Sequence, residues 1–99
     1  MSALLDRIFV ARAEWAEQHG GRWPVAVHLS PKATIRALRA TCGLAAVAPV
    51  LVAHGEDRQG QMWTVKRWAH DVLQMDWFED TRLKDESFEF KAVVESAHP

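Results

Sequence analysis

Residues Trp23–Gly43 read WPVAVHLSPKATIRALRATCG, a strand, a cap and a helix in immediate succession. Val25, Val27 and Leu29 alternate with Ala26 and His28, and a period of two puts three apolar side chains on one face of a strand. Pro24 holds Trp23 extended and cannot donate to a ladder, so the strand starts there. Ser30 then offers a helix cap, and Pro31 takes the first helical position, where a missing N–H costs nothing. Ile35, Leu38 and Cys42 recur along one side of that helix and Lys32, Arg36 and Arg39 along another, and Gly43 supplies the left-handed stop. His28, opposite the valines, is expected to face solvent or to bond a neighbour.

On the N-terminal side, residues 2–19 have helical spacing. Leu4, Leu5, Ile8, Ala11, Trp15 and Ala16 share a face, Ser2 can cap the helix, and Gly20-Gly21 ends it. Phe9 and Val10 widen the apolar side, which implies burial on more than one side or contact with a partner.

On the C-terminal side, residues 44–48 are a small apolar approach to Pro49–His54, PVLVAH. A continuous apolar run of that length suits a strand covered on both faces, with proline at its start. GEDRQG at 55–60 is a hairpin loop, and residues 61–65 form the return strand. Residues 65–77 carry two patterns. Val65, Trp68, Ala69, Val72 and Leu73 fit a helix, whereas Leu73, Met75 and Trp77 alternate as a strand; a strand over 70–77 is favoured because it gives the last element a partner. EDTRLKDES at 79–87 is a charged connection, residues 88–94 alternate as a half-buried strand, and the tail at 96–99 should fray. The expected fold is therefore α+β: a two-layer sandwich of two helices, about 2–19 and 31–42, on a mixed, largely antiparallel sheet of four to five strands.

Ninety-nine residues make a single domain, 1–99. Twelve basic and thirteen acidic residues nearly cancel, which argues against a dedicated nucleic-acid binder. The single Cys42 excludes an internal disulfide and a cysteine-only zinc site, and no apolar run reaches the length of a membrane span. The expected location is cytoplasmic.

No catalytic residue emerges, because no serine, threonine or cysteine has a histidine partner identifiable from sequence. His19, His28, His54, His70 and His98 show no metal-motif spacing. Lys32, Arg36 and Arg39 form a basic stripe at a helix N-terminus. They could contact an anion or nucleic acid, and the plain alternative is a solvated helix face. His70, Asp71, Asp76, Glu79 and Asp80 are the densest set of possible ligands, so a metal-dependent hydrolase or nuclease using the acidic 71–80 segment is a second reading; a solvated acidic edge is the plainer one. Among five tryptophans, Trp15 and Trp77 are expected in the core. Trp63 and Trp68, beside Lys66 and Arg67, are expected at the surface as a partner-binding edge.

The run His28-Leu29-Ser30-Pro31 through Leu38 resembles the strand and proline-started helix of small phage and prophage proteins and of a segment of tailed-phage capsid proteins. Val72–Asp76, Leu83-Lys84-Asp85 and Phe88–Val94 are similar to the later strand, acidic turn and short final strand of that pattern. The likeness covers about half the chain, and Lys66-Arg67-Trp68 stand where the pattern has a glycine-containing turn. The resemblance carries over no catalytic residue. It implies a mobile-element origin and a binding or assembly role. The expected function is a non-enzymatic protein-interaction module without a cofactor, either a particle-assembly component or a small inhibitor of a host defence complex. Its surplus apolar surface also suits a homodimer.

Overall fold

The computed structural model describes residues 3–41 and 48–93. Among them the order is helix α1 (Ala3–Gln18), strand β1 (Ala26–Leu29), helix α2 (Pro31–Thr41), then strands β2 (Val50–Glu56), β3 (Met62–Arg67), β4 (Asp76–Asp80) and β5 (Phe88–Lys91). The expected α+β fold is the one observed. The Ser2 cap, the stop at Cys42–Gly43, the approach at 44–47, Val94 and the tail with His98 lie outside the described residues.

The strands form one sheet in the order β2-β3-β4-β1-β5. Three consecutive strands make an antiparallel meander, and β1 inserts between β4 and β5. It runs parallel to β4, with Val27 opposite Trp77, and antiparallel to β5, with Val27 opposite Phe90. Both helices lie on one face. Leu4 and Ile8 of α1 and Ala33 and Ala37 of α2 meet Val27, Leu29, Trp77, Val72 and Met75 in the main core. A smaller core on the opposite face joins Ala26, Val65 and Phe78, with Val52, Ala53 and Trp63 against them.

The cap on α2 forms as its sequence requires. Ser30 Oγ accepts from the Ala33 amide at 3.0 Å, and its hydroxyl donates to the Asp85 carbonyl. The latter bond and Ser30 N–H to the Ser87 carbonyl tie the 81–87 connection over the end of β1. The buried side of α2 departs from expectation. Ala33, Thr34 and Ala37 face the core, while Ile35 is 51% exposed. Two alanines let the helix sit close to the sheet, and that approach, not the size of the apolar residue, selects the face. In α1 the expected residues Leu4, Ile8 and Ala16 are buried, and Phe9 and Val10 project to solvent.

Two strand expectations are corrected and a third is narrowed. β1 is sealed on both faces, so His28 is fully buried and takes the second option foreseen for it, a bond to a neighbour. β2 is an outer strand instead of a strand covered on both faces, and it extends through Gly55 and Glu56 into the expected loop. The fourth strand occupies 76–80 instead of 70–77. Residues 72–75 close a tight hairpin instead, with Val72 N–H to the Met75 carbonyl and Met75 N–H to the Val72 carbonyl, both 2.9 Å.

That hairpin turns on Leu73 and Gln74 at φ 48° and 67°, a left-handed pair usually filled by asparagine and glycine. Leu73 is kept there by packing on the core and by Arg12, whose guanidinium donates to its carbonyl at 3.1 Å. Gln74 is exposed. A left-handed non-glycine residue costs about 1–2 kcal/mol, and glycine adds back about 0.5–1 kcal/mol of chain entropy. Gln74→Gly is therefore expected to stabilise the protein by about 0.5–1 kcal/mol in urea denaturation, whereas Leu73→Gly, which also strips core contacts, is expected to destabilise it.

Candidate interaction edge

β2 pairs with β3 on one side, and its other side has no partner strand among the described residues. Seven extended residues leave about 23 Å of backbone edge to be paired. Val50 is 65% exposed and Leu51 48%. Sheet edges are usually guarded by lysine, proline or a bulge. Here Pro49 and a bulge at Val52 stand near the start of the strand, and Ala53–Glu56 carries neither. The bulge also resets the alternation. Leu51, His54 and Glu56 share the face of Lys66, Thr64 and Met62, although Leu51 and Glu56 are five residues apart.

A chain of contacts anchors this hairpin to the middle of the sheet. Gly55 lies opposite Trp63, and a Cβ on Gly55 would come within 2.6 Å of the indole, so only glycine lets the ring lie flat on the strand. The Arg82 guanidinium sits 4.2 Å from the Trp63 ring centroid, a cation–π contact. Its Nε and one terminal nitrogen donate to the two oxygens of Asp80 at 2.9 and 2.8 Å, and its backbone N–H donates to Oδ1 at 3.0 Å. Asp80 Oδ2 lies 2.8 Å from His28 Nδ1. Burial raises the Asp80 pKa, but the bonds from His28 and Arg82 outweigh burial and hold the carboxyl well below its ordinary 3.8. An ionised carboxylate only accepts, so His28 Nδ1 carries the proton. His28 Nε2 is left buried beside Phe78 without a partner among the described residues.

The expected partner-binding set divides. Trp63 and Arg67 lie on the face of the smaller core, and Lys66 lies on the helix-covered face. Trp68 stacks on Trp77 at 5.5 Å and donates its N–H to Glu79, so it is a part of the fold instead of an exposed edge residue. Trp63 is likewise half-buried, and the most exposed indole is Trp23. Trp77 is in the core as expected, and Trp15 is half-buried against Phe90 and His19. Arg67 pairs with Asp76 at 3.3 Å.

The basic stripe of Lys32, Arg36 and Arg39 is exposed, with Arg36 paired to Glu86 at 2.7 Å. The acidic 71–80 segment is dispersed. Asp76 serves Arg67, Glu79 serves Trp68, Asp80 serves His28 and Arg82, and Asp71 is exposed. No three His, Cys, Asp or Glu side chains among the described residues converge to hold a metal ion. Sequence reading missed the partnership of His28 and Asp80. Its one signal was a histidine inside an otherwise apolar strand, which must find an acceptor if both faces are covered.

Two variants test the anchor. A carboxyl held below its ordinary pKa adds stability that is fully present above pH 3.8 and is lost as pH falls through the folded-state value. Asp80→Asn is thus expected to cost about 2 kcal/mol at neutral pH, with the gap to wild type closing in strong acid in pH-dependent urea denaturation. Gly55→Ala is expected to cost about 1–3 kcal/mol by driving the Trp63 ring off β2, and faster amide exchange in the hairpin than in α1 would mark the damage as local.

No family model, no curated protein and no solved structure matches this chain.

Proposed function

We propose that this chain is a non-enzymatic protein-interaction module that takes an extended segment of its partner onto β2 as an added strand. One observation carries the reading: an outer strand of seven residues whose outer side, unpaired among the described residues, is flanked by exposed Val50 and Leu51. Strand addition draws affinity from backbone hydrogen bonds and specificity from alternate side chains. Trp63, Lys66 and Arg67 border this edge one strand inward, so three of the four residues expected to bind a partner belong to its surroundings. The anchoring of Trp63 through Arg82 to Asp80 keeps the hairpin ordered before binding, which lowers the entropy lost on association. Of the two settings implied by the resemblance to phage proteins, particle assembly suits strand addition better, because backbone pairing joins subunits with little demand on side-chain sequence.

Selection of a displayed random-peptide library on the folded chain tests the reading. Extended segments with alternating β-branched residues are expected to be enriched. Their affinity should fall at least about tenfold on the V50K/L51K double variant, a loss of about 1.4 kcal/mol. Enrichment of helical peptides, or binding unchanged by the double variant, overturns it.

A further inference from the structure

We infer that the strand added to β2 is β2 of a second copy of this chain, paired antiparallel about a two-fold axis; this rests on the edge reading above and names its partner. Two observations single out a self-pairing. The first is register. Val52 is the extra residue in the ladder with β3. If it is also the extra residue on the outer side, opposite residues of two antiparallel copies share a face in the registers centred on Ala53, His54 or Gly55, and the His54-centred one alone sets Glu56 beside Leu51. His54 then lies opposite His54 of the other copy, Ala53 opposite Gly55, and Leu51 opposite Glu56. Each pair brings together side chains already on the same face of the sheet.

The second observation is charge. Glu56 and Lys66 stand at opposite ends of the hairpin on the same face, and neither has an ion-pair partner among the described residues. In the self-paired register, each Glu56 arrives beside Leu51, one strand outward from Lys66. Two strand spacings, about 9.5 Å, separate the two backbones, a gap that the long side chains of lysine and glutamate span together. Symmetry makes this contact twice. The pairing covers both copies of Leu51, the more central of the two exposed residues.

The alternative use of the edges, β2 on β5 of the next copy, matches seven residues to four and leaves a free edge at each end, so it builds an open filament. Pairing β2 with itself uses residues 51–56 of both copies and closes. A single added strand on each side is a small interface, so the dimer is expected to be concentration-dependent.

Charge swaps test it. Glu56→Lys and Lys66→Glu, each confirmed folded by circular dichroism, place like charges at both symmetric contacts. Sedimentation velocity should show wild type dimerising with concentration and each variant alone about tenfold weaker. An equimolar mixture of the two variants restores opposite charges at both contacts and should return to within about threefold of wild type. His54→Lys sets two lysines across the axis and should also weaken the dimer. A wild-type chain that stays monomeric across about a hundredfold concentration range overturns the inference, as does a mixture no tighter than the variants alone. Monomeric behaviour alongside library peptides still sensitive to V50K/L51K would overturn self-pairing and leave strand addition standing.

Discussion

The hydrogen bond between His28 and Asp80 is the constraint on which the rest of the sheet depends. It crosses the junction of β1 and β4, the parallel pair in an otherwise antiparallel sheet, on the face the helices do not cover. A parallel pair needs burial on both faces, and a chain of this length has helices for one. The second face is closed by the small core around Ala26, Val65 and Phe78 and, beside it, by a polar anchor. Asp80 is held ionised by His28 and Arg82, Arg82 lies on Trp63, and Trp63 lies on Gly55. Five residues from five separate positions in the chain thereby carry order from the centre of the sheet to its rim. The arrangement leaves His28 Nε2 without a partner among the described residues, a desolvation cost of about 1–3 kcal/mol, which the charge-assisted bond from its other nitrogen to Asp80 offsets.

Much of this architecture was legible in the residues. The spacing of Leu4, Ile8 and Ala16 gave the first helix. Pro24, Ser30 and Pro31 bracketed β1 and α2, and GEDRQG marked the turn that joins β2 to β3. These are local signals, set by backbone geometry within a few residues. What escaped notice is set by neighbours far along the chain. Ile35 looks like a core residue until Ala33 and Ala37 bring the helix axis close to the sheet. PVLVAH looks like a central strand, because hydrophobicity does not distinguish a strand sealed between neighbours from one awaiting a neighbour. Trp68 looked like a binding residue because it follows two basic residues, yet the stack on Trp77 consumes it.

The candidate edge was less legible than the fold for the same reason. Lys66, Arg67 and Trp63 were singled out by composition, but their role depends on which strand lies outermost, and only the sheet order fixes that. The bulge at Val52 sharpens the point. It is one residue that changes the face of everything before it, and so decides whether Leu51 and Glu56 cooperate or point apart.

The insertion of β1 between β4 and β5 also bears on how the protein is made. Val27 is synthesised well before its neighbours in the sheet, Trp77 and Phe90. Helix α1, α2 and the β2–β3 hairpin can form as the nascent polypeptide emerges, but the slot for β1 does not exist until β4 and β5 have been synthesised. Contacts of such long sequence separation slow folding. During that delay Val27 and Leu29 stay uncovered, open to contacts that the finished sheet forbids.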